Sequence, residues 1–267
     1  MPTSPDIPRH ACLASAQKAA RRAGDLLQRE FLRDKTVDER LAHDIKLRLD
    51  KECQQLITQT LRADWPDYAL LGEEGGSGGE IEWIVDPLDG TVNYFYGIPL
   101  FCVSIALRVR GTVELGCVYA PMLGEMFCAV RGQEAQLNGR PLRVSTRADM
   151  AQAIIFAGHG SHDGSGENGL RRFAYLSSRV CKMRILGSAA LTLCYIAAGR
   201  LDAYIEQRIH LWDFAAAQVI LETAGGVLEF TPSAADANSG AVLAWNGALP
   251  LHETLAAYAR ELPPTTP

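Results

Sequence analysis

Two aspartates three residues apart, at the end of an apolar run, are the first residues here whose spacing suggests chemistry. The run Ile81–Val85, broken only by Glu82, leads into Asp86-Pro87-Leu88-Asp89-Gly90-Thr91. A strand there delivers two carboxylates to its carboxyl end. Pro87 has no N–H and stops the ladder. Gly90 permits a turn that a Cβ would obstruct. Thr91 can open a short helix whose first N–H groups have no internal partner. Hard oxygen ligands beside an anion-binding backbone suit a divalent cation holding a phosphate.

Two further segments carry acids to their ends. Glu73-Glu74 follows a short apolar stretch, and Asp213 starts a helix, where the dipole favours its charge. If Glu73, Asp86, Asp89 and Asp213 converge, four like charges share one cleft, which is unfavourable without cations. Two Mg²⁺ ions would neutralise them almost one for one, and a phosphate could recruit a third. One ion prepares a water and the other stabilises a leaving alkoxide. No Cys or Ser stands in a nucleophile motif, which favours direct attack by water. Each acid also has a plainer reading: a turn former in DPLDGT, a solvent-facing pair at Glu73-Glu74, an exposed helical charge at Asp50, and a surface charge at Glu206.

Periodicity supplies the elements that must position these residues. Leu13, Ala16, Ala20, Ala23, Leu27 and Phe31 recur at helical spacing over about 9–32. A charged stretch, 34–43, reads as a solvated connector or as a lid carrying a basic residue. A second helix is expected over 44–63, with Asp50 beside its apolar face. A strand over 68–72 runs into a flexible glycine-rich loop, 73–79. Strands follow over 101–110, 113–120 and 125–131, and Asn138-Gly139 signals a tight hairpin. After about 147 strands and helices alternate: strands 153–157, 180–186, 201–206, 227–230 and 241–244, and helices 170–177, 189–198, 212–224 and 251–262. The loop 158–169, with His159 and His162, reads as a surface loop, a metal patch being its alternative. The expectation is an α/β (α+β) chain in two halves. Residues 1–147 hold two helices and a largely antiparallel sheet; residues 148–267 hold an α/β half with a more parallel sheet.

The 267 residues, 48% hydrophobic and 21% charged, are enough to bury a large core. A formal charge of −5 argues against broad nucleic-acid binding. Seven cysteines, an odd number without metal-type pairing, read as reduced residues of a cytoplasmic protein. The N-terminus lacks a signal pattern, and no apolar run approaches the roughly 20 residues that span a bilayer.

Four segments in order, GEE at 72–74, WIVDPLDGTVNY at 83–94, GSAA at 187–190 and IHLWDFAAAQVILETAGG at 209–226, resemble the inositol monophosphatase family of Mg²⁺-dependent, lithium-sensitive phosphatases. The resemblance implies a layered α-β-α-β-α sandwich, usually in a homodimer. It implies that Glu73, Asp86 and the Leu88 carbonyl hold one ion, and Asp86, Asp89 and Asp213 a second. The backbone at Gly90 and Thr91 would bind phosphate, and the Thr91 hydroxyl, paired with Asp50, would help orient and deprotonate the attacking water. Asp89, Gly187, Ser188, Ala189 and Glu206 would face the polyol. The chain departs from the pattern before the second helix, where Asp44-Ile45-Lys46-Leu47 precedes Asp50, and in Lys35, which stands far from Asp50 for a lid lysine. Inositol monophosphate or a similar polyol phosphate is the expected substrate. Histidinol phosphate is the nearest alternative, and a role in transcription complexes, as in some bacterial relatives, is a different class.

Overall fold

The computed structural model describes residues 7–40, 45–158 and 166–261. Helix α1 (Arg9–Glu30) presents Cys12, Ala16, Ala19, Ala20, Ala23 and Leu27 as a fully buried stripe. Beyond it, β1 (Val37–Arg40) and β2 (Ile45–Leu47) pair as an antiparallel hairpin. The connector expected at 34–43 is thus partly strand, and its residues 41–43 lie outside the described residues. Helix α2 (Arg48–Asp64) begins four residues later than expected. Asp50 explains the start: its Oδ2 accepts from the Leu47 N–H at 2.7 Å, satisfying one orphan donor of the first turn. Trp65 ends the helix, its N–H bonding back to the Leu61 carbonyl.

Next come β3 (Ala69–Gly72), β4 (Gly75–Ser77), β5 (Ile81–Asp89), α3 (Thr91–Phe95), β6 (Cys102–Val109), β7 (Thr112–Ala120), β8 (Glu125–Val130), β9 (Gln136–Leu137) and β10 (Arg140–Pro141). They form one eight-stranded sheet in the order β10-β9-β8-β7-β6-β5-β3-β4. Every pair is antiparallel except β3 with β5. The glycine-rich stretch expected to be a loop is in part strand β4, paired antiparallel to β3. Asn138-Gly139 turns the β9–β10 hairpin as expected, with both residues at positive φ.

The second half contains β11 (Ile154–Ala157), α4 (Gly166–Ser177), β12 (Lys182–Met183), α5 (Ala189–Ala197), β13 (Ala203–His210), α6 (Leu211–Thr223), β14 (Val227–Pro232), β15 (Ser239–Trp245) and α7 (Leu251–Glu261). Its five strands run β12-β11-β13-β15-β14; β12, β11 and β13 are mutually parallel, and β15 is antiparallel to both neighbours. The sheet is therefore mixed, and the strand expected over 180–186 shrinks to two residues.

Three apolar clusters separate five layers. Val103, Ile105, Leu115 and Cys117 face α1 and α2, whereas Cys102, Ala106, Val118 and Ala120 face α5 and α6. Such two-sided burial explains why these strands read as continuous apolar runs. Helix α6 lies between the two sheets and is apolar on nearly every side. A third cluster joins Ile155, Ala203 and Ile205 to Leu176 of α4 and Leu251 of α7. Among the described residues, no helix is long and apolar enough to cross a membrane.

The approach of α6 to the large sheet depends on Gly116. A Cβ there would stand 2.2 Å from the Ala216 carbonyl oxygen and 2.8 Å from Val219 Cγ1. Both neighbours are held in a packed helix, so Gly116→Ala is expected to cost about 1–3 kcal/mol as an overpacking change. A lowered urea midpoint checks this.

Candidate active site

Asp86 and Asp89 sit at the end of β5, and a regular strand would point residues three apart to opposite faces. The pairing with β6 corrects this. Asp86 opposes Ser104 and Asp89 opposes Cys102, so the Pro87-Leu88 step spends one extra residue on the β5 side. A bulge of this kind re-aims a side chain, and a residue without an N–H is tolerated in it. Both aspartates consequently line one cleft of about 470 Å³. Glu73 reaches it from the end of β3, where its N–H bonds the Val85 carbonyl at 3.2 Å. Asp213 reaches it from the first turn of α6.

The four acids are not equivalent. Asp86 is 2% exposed. Burial, and then the charges of Glu73, Asp89 and Asp213, push its carboxyl well above the usual range. Among the described residues, the Leu88 N–H opposes this rise, donating to Oδ1 at 3.0 Å. Burial also raises Asp89, but donors oppose that rise. Ser188 Oγ donates to Asp89 Oδ2 at 2.5 Å, the Ala190 N–H to the same oxygen at 2.8 Å, and the Ala189 N–H to Oδ1 at 3.1 Å. Asp89 thus lies on the N-terminus of α5, while Ser188 caps that helix through Leu191 N–H. Asp213 Oδ2 accepts from the His210 N–H at 2.8 Å. The His210 ring stacks on Trp212 at 4.6 Å, consistent with structural roles for both.

Gly90 follows with φ 97° as the cap of α3. A Cβ on it would meet the Leu100 and Gly187 carbonyls at 3.0 and 3.2 Å, so glycine is required twice over. The Thr91 hydroxyl donates to the Leu88 carbonyl at 2.9 Å. Asn93 Nδ2 donates to the Leu100 and Leu186 carbonyls, tying α3 to the segment that carries Gly187 and Ser188.

Gly187, Ser188, Ala189 and Glu206 line the same cleft, as does Leu88. Asp50 is not among the described lining residues; it is buried at the start of α2. Lys35 is turned onto α1, donating to the Phe31 carbonyl at 2.7 Å and lying over the Phe31 and Tyr94 rings. His159 and His162 lie outside the described residues.

Sequence reading missed seven lining residues, Val92, Phe156, Gly158, Ile185, Tyr204, Arg208 and Ile209. Tyr204 shares the face of Glu206 by strand alternation, and Phe156 opposes Tyr204 in the parallel register, their rings stacked at 4.5 Å. That face was readable once Glu206 was singled out. Arg208 lies in a second bulge, between Glu206 and Ile209, which no spacing rule reveals. Glu206 itself packs against Gly158, whose carbonyl accepts from Arg172 Nη2 at 3.0 Å.

Carboxylates and a backbone carbonyl are the donor chemistry of a hard divalent cation. The repulsion focused on buried Asp86 is the strain such a cation relieves. Among the described residues, no group of three or more His, Cys, Asp or Glu is drawn closely enough together to hold an ion. The hydrogen bonds account for part of this: Asp89 is turned onto α5 and Asp213 onto its own helix start. The donor types fit, and the ring of like charges is held open.

A five-layered sandwich with an acidic cleft where β5, α5 and α6 meet defines the sugar-phosphatase type of fold. Residues 9–263 match the inositol monophosphatase family, and the chain belongs to that family. The Nus factor SuhB of Pseudomonas aeruginosa is 39% identical over 243 residues, covering 86% of this chain and 90% of that protein. The structure of the extragenic suppressor protein suhB from Bartonella henselae superposes with a TM-score of 0.86 at 31% identity, over 94% of this chain and 100% of that one. The inositol monophosphatase from Anabaena (Nostoc) gives 0.82 at 31% identity, over 97% and 99%.

Proposed function

We propose that this protein is a Mg²⁺-dependent phosphomonoesterase acting on inositol monophosphate or a similar polyol phosphate. The observation that carries the reading is the convergence of Glu73, Asp89 and Asp213 on a buried Asp86. Glu73, Asp86 and the Leu88 carbonyl would hold one Mg²⁺, and Asp86, Asp89 and Asp213 a second, and a phosphate could recruit a third. When bound, the ions supply charge neutralisation and a water of lowered pKa.

The chain's own residues do the rest. The Gly90 and Thr91 backbone N–H groups receive the phosphate oxygens. The Thr91 hydroxyl spends its proton on the Leu88 carbonyl, so its lone pairs are the ones available to orient the attacking water. Glu73 accepts a proton from that water, and Asp50 supports Thr91 from the start of α2. Asp89, Gly187, Ser188, Ala189 and Glu206 face the polyol hydroxyls, over the Phe156–Tyr204 stack.

The test is phosphate release, with and without Mg²⁺, from inositol 1-phosphate, histidinol phosphate, fructose 1,6-bisphosphate and adenosine 3′,5′-bisphosphate. Mg²⁺-dependent turnover led by inositol 1-phosphate, inhibited by lithium, is the expected result; no release from any of the four sinks the proposal. Glu206→Gln is expected to raise KM for inositol 1-phosphate about tenfold, the value of one hydrogen bond to a charged group. An unchanged KM removes Glu206 from the polyol contacts.

The protein is read as a cytoplasmic homodimer, with light scattering as the check on assembly. A second reading, a non-catalytic role in a transcription complex, is supported by the Nus factor name of its relatives. Capture of RNA polymerase by a variant that has lost phosphate release would establish it as separate from hydrolysis.

A further inference from the structure

We infer that Cys117 and Cys128 are a modification site: a dithiol that peroxide closes to a disulfide within the folded protein. The two residues oppose each other directly in the antiparallel β7–β8 ladder. Opposed Cα atoms in such a ladder are about 4.5 or 5.5 Å apart, according to the hydrogen-bond pattern. Both spacings fall within the roughly 4.4–6.8 Å that a disulfide accepts. Opposed residues project to the same side of the sheet. Here that side faces α1, and both cysteines belong to the cluster beneath it. Their thiols face each other closely enough that each shifts the other's titration. Closure therefore requires side-chain rotation and no rearrangement of strands.

The two thiols play different parts. Gln17 Nε2, from α1, donates to Cys128 Sγ at 3.2 Å. Arg21, one turn further along α1 and over the Tyr119 ring at 5.8 Å, adds positive charge nearby. The facing Cys117 thiol acts in the same direction. Together they hold the Cys128 thiol below its usual range, led by the Cys117 contact. Cys117 is pushed well up by its neighbour Cys128 and by burial. Cys128 is thus the attacking thiolate and Cys117 the resolving thiol.

In the first step Cys128 sulfur attacks the O–O bond of hydrogen peroxide. An S–O bond forms, hydroxide leaves, and Cys128 becomes a sulfenic acid. In the second, Cys117 sulfur attacks the Cys128 sulfur, the S–S bond forms, and water leaves with the Cys117 proton. The two sulfurs together lose two electrons and the peroxide oxygens gain them. A dithiol reductant reverses the product.

The experiment treats the folded protein with hydrogen peroxide, blocks remaining thiols with iodoacetamide after unfolding, and digests it. Cleavage after arginine leaves both cysteines in one peptide, Gly111–Arg131, and cleavage after Glu125 separates them. The expected product is a pair of fragments joined until dithiothreitol is added. Dimedone should label Cys128 in Cys117→Ala, while Cys117 in Cys128→Ala stays unlabelled; circular dichroism confirms that both variants fold. Full alkylation of both residues in treated wild type, while exposed Cys181 is oxidised, overturns the inference. So does a link that appears only when peroxide is added to urea-unfolded protein. Preferential labelling of Cys117 overturns the assignment of roles.

Discussion

Asp86→Asn is expected to lower Mg²⁺-dependent phosphate release by about 10³-fold or more, several kcal/mol of transition-state charge stabilisation. The same substitution should leave the metal-free protein as stable as before, or more stable. Asp86 is buried among Glu73, Asp89 and Asp213, and its carboxyl is held above its unfolded value, so the charged form is disfavoured in the native state. A carboxyl raised on folding adds nothing below its unfolded pKa and costs stability as the pH rises from there through the folded value. The cost grows as the pH rises above the unfolded value, and the amide removes it while keeping the shape. The signature is a thermal midpoint that holds or rises without Mg²⁺ and no longer responds to Mg²⁺. Near-normal turnover by the variant would sink the metal assignment. A large loss of midpoint in the metal-free variant would show that Asp86 is structural.

The site's composition was legible from particular residues, and its geometry was not. DPLDGT announced acids at a strand end, and the Trp212-Asp213 helix announced a third. That Asp86 and Asp89 share a side depends on a bulge, and a bulge is a property of two strands together. Asp50 read as a charge beside an apolar helical face. The structure makes it the third residue of α2, because the helix starts at Arg48 after a short hairpin. Local propensity favoured a longer helix, and pairing with β1 took Ile45–Leu47 instead. Gly75–Ser77 read as a loop for a similar reason: glycine is poor strand material in isolation, and β3 supplies the partner. The core strands and α6 were readable because burial on both sides leaves continuous apolar runs.

The largest stability effect is expected at Asp202, which is not among the residues lining the cleft. Asp202 is 0% exposed. It accepts from Ser145 Oγ at 2.5 Å, from Arg147 Nε at 2.8 and 3.0 Å, and from the Ile154 N–H at 2.8 Å. Asn246 Nδ2 extends the network to Ser145 Oγ and the Arg147 carbonyl, and the Asn246 N–H returns to the Asp202 carbonyl. The segment joining the two sheets is thereby held to the start of β13. Asp202→Ala strands an arginine, a hydroxyl and a backbone N–H at once. Removing one partner of a buried pair costs about 3–5 kcal/mol. Arg147 is partly open to water, which places this case near 3, or a fall of roughly 6–12 °C in thermal midpoint. Asp202→Asn keeps one acceptor and should lose about half as much. Both variants should keep Mg²⁺-dependent turnover at low temperature. A shift below about 2 °C for the alanine variant would show that the network contributes little.

The hydrogen bonds between Asp89 and α5 have a kinetic consequence. The helix takes its N-terminal anion from a residue 99–101 positions earlier in the chain. Closing a loop of that length precedes any reward from the contact it makes. Helix α5 therefore lacks this partner until the large sheet has formed and docked. The cleft takes shape only when the two halves meet, so a chain that stalls before docking carries the cleft's acidic side chains and no cleft.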